Sequence, residues 1–182
     1  MMIDNKYRNF YFAYGSNMNL DLMKKRLPEA QFVSKGILKD YEFCFPKIAM
    51  SRSFMGVLDI KESKDKYVLG SVYMLSDEDL EYLDKIEGVS SGQYSRKILE
   101  VNVFDKVRSC NVYLSNIDKS KNYTPSKNYL LTTIIGLVEN ECNIDYLWSL
   151  ISIYKKSINP TFNEKFKLFI KKFPKSIKYL FK

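Results

Sequence analysis

The sequence predicts an α+β fold: a small mixed β-barrel with flanking helices, followed by an amphipathic C-terminal helix. Three observations carry that prediction. Some six apolar or aromatic runs succeed one another with few helical patterns between them, which suits a barrel better than a doubly wound sheet. The 182 residues are 46% hydrophobic and 15% aromatic, enough for one well-packed core. From Asn159-Pro160 onward the pattern changes to a helical stripe of Phe162, Phe166, Phe169, Ile170 and Phe173, closed by Pro174. Two units are expected on this basis, a domain over 1–156 and a basic helical extension over 157–182.

The elements follow in order. NFYFAY (9–14) reads as a strand that ends at Gly15, and Asn19 can cap a short helix through Leu27, before Pro28. QFVSKGILKDYEFCFPKI (31–48) reads as two strands around Gly36. SRSFMGVLDIKE (51–62) places Gly56 before another strand, and YVLGSVYML (67–75) is a further one. Ser76 and Asp79 form a capping-box variant opening a helix, acids crowd its first turn, and Gly88 suits its C-terminal stop. YSRKILEVNVF (94–104) and SCNVYLSN (109–116) predict two more strands. After the polar loop DKSKNYTPSK (118–127), helices are predicted over 127–138 and 144–154.

The net charge of +8 is concentrated in the tail, where residues 155–182 hold nine lysines and one acid, Glu164. The preceding body balances 20 basic against 20 acidic residues, so nucleic-acid binding is not expected. The longest apolar run, LLTTIIGLV (130–138), is too short for a membrane span. Asp4, Lys6 and Arg8 interrupt any signal-peptide core. Cys44, Cys110 and Cys142 match no metal spacing, and free thiols in a reducing cytoplasm are expected. The chain has no histidine, which excludes Ser-His-Asp and Cys-His nucleophilic chemistry within it. The tail's Phe/Lys pattern fits a helix packed on the barrel or on a homodimer mate, with membrane or nucleic-acid contact as the less favoured alternative.

Two stretches carry candidate chemistry. Glu87 lies seven residues after Leu80 and four after Leu83, on the face those leucines bury, and at the helix end whose dipole disfavours an anion. Such a carboxylate should hold its proton tightly and suit general acid/base work. The same spacing also fits a glutamate turned to solvent at a frayed helix end. In YFAYGSNMN (11–19), Gly15 permits close approach to the backbone, and successive amides at a helix start suit a carboxylate or oxyanion. Ordinary turn and capping chemistry accounts for Gly-Ser-Asn equally well.

Taken together, YFAYGSN and LDKIEGVSSGQY resemble the gamma-glutamylcyclotransferases, which show a strand ending Tyr-Gly-Ser-Asn and a later helix ending Glu-Gly before Ser-Gly-x-Tyr. Here these are Tyr14, Gly15, Ser16, Asn17, then Glu87-Gly88 and Ser91-Gly92-Gln93-Tyr94. The resemblance runs through CNVYLSN and PSKNYLLTTIIG, covering roughly residues 9–153, and Tyr129 matches a tyrosine that helps close the family's pocket. Related branches show Tyr-Gly-Thr-Leu (gamma-glutamylamine substrates) or Tyr-Gly-Ser-Leu (glutathione). Asn17 places this chain nearer the branch acting on gamma-glutamyl amino acids.

The resemblance implies a small-molecule gamma-glutamyl substrate whose own α-amine attacks its γ-carbonyl, releasing 5-oxoproline and a free amino acid. Glu87 would be the general acid/base. Tyr11, Phe12, Ala13, Tyr14, Gly15, Ser16 and Asn17 would bind substrate with Tyr129, without metal or organic cofactor. A non-catalytic module of the same fold, binding a small carboxylate or a protein, is the alternative, as is turnover of gamma-glutamylamines. The short stretch 49–56 departs from the family, and Arg52 within it is an open question.

Overall fold

The computed structural model describes residues 7–49 and 55–140, with Tyr146 and Ser149 beyond them. Five strands close into a barrel in the order β1-β3-β2-β4-β5: β1 (Asn9–Ala13), β2 (Gln31–Ala49), β3 (Met55–Leu75), β4 (Tyr94–Val103) and β5 (Lys106–Ser115). Neighbours pair antiparallel except at the seam, where β1 meets β5 in parallel with Tyr11 opposite Asn111. Three helices flank the barrel: α1 (Leu20–Arg26), α2 (Asp77–Glu87) and α3 (Lys127–Glu139). This is the predicted α+β barrel.

Strand number and length differ from the sequence reading. The runs expected as separate strands around Gly36 are one strand, β2, and those either side of Glu62–Lys66 are one strand, β3. Together they form a long hairpin whose register shifts at Phe32/Ser34, Lys39/Tyr41 and Cys44/Lys47. Bulges absorb the bends that the polar residues suggested as turns. At the middle shift Asp40 and Asp65 both take left-handed backbone, and the Asp65 amide donates to Asp40 Oδ1 at 2.9 Å. β5 begins three residues before its predicted start, because only Phe104 and Asp105 separate it from β4.

The three helix starts follow local chemistry. Asn19 caps α1 by accepting from the Leu22 amide, and Ser126 caps α3 through Tyr129. Ser76 and Asp79 make a reciprocal capping box on α2, and Gly88 ends it with φ 69°, a conformation that glycine adopts without steric penalty. Leu80 and Leu83 bury one face of α2. Tyr113 of β5 donates to Asp84 Oδ1 at 2.7 Å, and Arg96 of β4 reaches Asp84 Oδ2 at 3.5 Å. The last turn of α2 is thereby fixed against the barrel.

α3 approaches the chain segment after β1 very closely. A Cβ at Gly136 would lie 2.6 Å from backbone atoms of Met18 and Asn19, so only glycine admits this packing. Leu130, Ile134 and Leu137 are fully buried beneath it. The expected helix over 144–154, the tail from 157, the unit boundary, Cys142 and Arg52 lie outside the described residues.

Candidate active site

β1 is flanked by β3 and β5, and Tyr11, Phe12 and Ala13 are all buried, as a central strand's continuous apolar run requires. Strand alternation then divides its side chains. Phe12 turns its ring into the barrel against Gly36 and Gly70. Tyr11 packs on the other side, its ring centroid 6.3 Å from Tyr73 and 5.9 Å from Tyr113. Of the predicted binding residues, Phe12 thus turns its ring away from the side on which Tyr11 packs.

The chain leaves β1 at Tyr14 and Gly15 and makes one 3-10 turn, Ser16–Met18. Met18 and Asn19 donate back to the Gly15 and Ser16 carbonyls at 3.0 and 3.1 Å. The amides of Ser16 and Asn17 precede those first donors and have no acceptor within the turn. Tyr129 of α3 covers the loop: a Cβ on Gly15 would meet its hydroxyl at 3.3 Å, and that hydroxyl accepts from the Leu58 amide at 3.1 Å. The loop and Tyr129, over a hundred residues apart, are thus neighbours.

Glu87 sits half-buried in the last turn of α2. Its negative charge acts on both Tyr11 and Tyr94, and in each it adds to burial in raising the phenol's proton affinity. Tyr94, at the start of β4, is also influenced by Tyr129, Asp59 and Tyr11. Glu87, Tyr11, Tyr94 and Tyr129 accordingly share one electrostatic neighbourhood beside the glycine loop.

The sequence reading missed four members of this neighbourhood's framework. Asp59, on β3, is 1% exposed and holds an ion pair with Lys119 at 3.1 Å. Its carboxylate also accepts from Tyr14 Oη at 2.9 Å, from the amides of Ile60 and Ser115 at 2.8 and 3.2 Å, and from Ser115 Oγ. Lys119 also donates to the Ile60 carbonyl at 2.6 Å. On the opposite side, Arg26 of α1 donates to Asn17 Oδ1, and Asn17 Nδ2 donates to Tyr11 Oη at 2.9 Å. One signal for Asp59 was available: an acid between Leu58 and Ile60 in an apolar strand must find a partner if buried. Among the described residues no three His, Cys, Asp or Glu side chains converge as a metal site, and no helix is long and apolar enough to cross a membrane.

Residues 11–131 match the family described as Gamma-glutamyl cyclotransferase, AIG2-like. The chain belongs to that family. Gamma-glutamylcyclotransferase of Bos taurus is 31% identical over 166 residues, which span 89% of this chain and 87% of the relative. Its Homo sapiens counterpart is 30% identical over 168 residues, with the same coverage. A solved structure described as gamma-glutamyl cyclotransferase superposes with a TM-score of 0.72 at 28% identity, covering 84% of this chain and 88% of that one. The barrel is therefore the cyclotransferase barrel, and the chain is an enzyme of the cyclotransferase type.

Proposed function

We propose that this cyclotransferase acts on gamma-glutamyl amino acids, releasing 5-oxoproline and the free amino acid. The α-amine of the bound glutamyl group attacks its own γ-carbonyl carbon. One C–N bond forms and closes the lactam; the original amide C–N bond then breaks. The proton lost by the attacking nitrogen passes to Glu87, which returns it to the departing nitrogen. No enzyme nucleophile enters the sequence, which agrees with a chain lacking histidine. Holding the cyclising conformer draws on the roughly 7–11 kcal/mol available to well-oriented intramolecular reactions. The Ser16 and Asn17 amides suit the substrate's α-carboxylate, with Tyr129 over the glutamyl chain.

The observation that carries this reading is that Glu87, 72 positions after Gly15 in sequence, acts electrostatically on Tyr11 of the strand leading into the glycine loop. A half-buried acid in the electrostatic neighbourhood of the strand that leads into the loop is what the reaction needs. The cytoplasm is the proposed compartment: Cys44 and Cys110 are free buried thiols, pushed up by burial to about 11 and about 12, inert and unpaired as a reducing environment allows.

The test is incubation with gamma-glutamyl-alanine and assay of 5-oxoproline. Wild-type protein is expected to turn it over, and Glu87→Gln to lose at least about a hundredfold in kcat while still binding the substrate. Near-normal turnover by that variant would remove Glu87 from the mechanism. Tight binding without product by the wild type would favour a non-catalytic module instead.

A further inference from the structure

Hydrogen-bond polarity along one short chain of side chains fixes a direction. A guanidinium can only donate, so the Asn17 atom that meets Arg26 is Oδ1. The other amide atom, Nδ2, can also only donate, and it gives its hydrogen to Tyr11 Oη at 2.9 Å. The Tyr11 oxygen is therefore an acceptor from behind, and its own proton must be given forward. Arg26 thus settles the amide orientation that geometry alone leaves ambiguous.

The surroundings narrow where forward is. Tyr73 and Tyr113 bracket the Tyr11 ring, and each sends its own proton elsewhere, so neither donates to Tyr11. Tyr73 donates to the Asn17 carbonyl at 3.1 Å, and Tyr113 to Asp84 Oδ1. Tyr11 and Asn17 are both about 5% exposed or less, so bulk water does not set the direction. Glu87 is the anionic side chain whose charge acts on Tyr11. A base and a neutral donor thus share the space beside the glycine loop. Burial and that charge keep Tyr11 protonated through the neutral range.

We propose that Tyr11 is a catalytic hydrogen-bond donor to the γ-carbonyl oxygen of the gamma-glutamyl substrate, and that Arg26, acting through Asn17, is the residue that positions it. This rests on the cyclotransferase reading above. As the α-amine bonds to the carbonyl carbon, the π electrons move to oxygen, and the Tyr11 hydroxyl stabilises that charge without losing its proton. When the electrons return, the C–N bond to the leaving amino acid breaks and Glu87 protonates the departing nitrogen. Donor and base act on different atoms of one tetrahedral centre, which leaves the loop amides for the α-carboxylate.

Steady-state release of 5-oxoproline from gamma-glutamyl-alanine is measured for wild type, Tyr11→Phe, Arg26→Met, Arg26→Lys and the double variant Tyr11→Phe/Arg26→Met, with thermal unfolding run alongside. Tyr11→Phe is expected to lower kcat by about 10²–10³-fold, the loss typical of one oxyanion donor, with KM little changed. Arg26→Met should lose about tenfold in kcat, Arg26→Lys should recover most of that, and the double variant should be no worse than Tyr11→Phe, because both changes remove one interaction. A Tyr11→Phe kcat within about threefold of wild type overturns the proposal, as do additive losses in the double variant. Inactivity of the wild type defeats the underlying reading and the donor role together; normal wild-type turnover with an active Tyr11→Phe defeats the donor role alone. Should Arg26→Met not fold, Asn17→Asp tests the same link, since a carboxylate still pairs with Arg26 but gives Tyr11 no hydrogen; wild-type kcat there overturns the positioning claim.

Discussion

Tyr11 and Tyr14 stand three residues apart on one buried stretch, yet their hydroxyls meet opposite kinds of partner. Tyr14 reaches 2.9 Å to the Asp59 carboxylate and 2.5 Å to the Tyr113 carbonyl, so its single proton faces two acceptors inside a network that Lys119 neutralises. Tyr11 instead receives a hydrogen from Asn17 and keeps its own to give. The first arrangement is an anchor: every polar atom is used within the protein, and the start of the glycine loop is pinned. The second uses the Tyr11 oxygen as an acceptor, in the field of the Glu87 charge. Burial alone therefore does not tell a structural tyrosine from a chemical one; the polarity of the partner does.

The largest disruption of the anchor comes from removing its cation. Lys119→Met leaves Asp59, 1% exposed, without its counter-charge, and is expected to cost about 3–5 kcal/mol in urea unfolding. A cost under about 1 kcal/mol would mean the pair behaves like a surface contact. Next, the two tyrosines should separate cleanly on removal of a hydroxyl. Tyr14→Phe takes a donor from a buried carboxylate and should cost about 2 kcal/mol of stability while retaining measurable turnover. Tyr11→Phe should cost about 1 kcal/mol yet lose far more activity. Equal ranking in both assays would erase the distinction.

Smaller effects sharpen the same contrast. Gly15→Ala puts a methyl 3.3 Å from the Tyr129 hydroxyl, so Tyr129 must give by a few tenths of an ångström and its bond from Leu58 must stretch. KM should rise several-fold with a stability change below about 1 kcal/mol. Ser76→Ala removes the capping box of α2 far from the loop. It should cost about 1 kcal/mol with kcat/KM unchanged, which serves as the control for destabilisation without chemistry.

Features written in neighbouring residues were legible before any coordinates. The capping box at Ser76 and Asp79, the stop at Gly88 and the cap at Asn19 all depend on contacts three or four residues apart. The closed barrel was legible too, from strand runs without intervening helices. The hairpin was not: KESKDK (61–66) reads as a turn, yet β3 passes it as a bulge, the register jumping from Tyr41–Glu62 to Lys39–Tyr67 while its charged side chains stay largely exposed. Asp59 and Lys119 lie sixty positions apart, and Arg26 meets Asn17 only because the 3-10 turn and α1 fold back on each other. Charge partners of that kind are decided by tertiary packing, which no local pattern encodes.

One rod holds the glycine loop at two points. α3 touches the glycine loop twice, with Tyr129 above Gly15 and with Gly136 pressed on Met18 and Asn19. Two helical turns, about 10 Å, separate those points of contact. A helix of that length does not stretch, so the two contacts travel together. Moving the loop away from α3 therefore means tilting the whole helix against its buried leucines, whereas trimming a single side chain would loosen only one end.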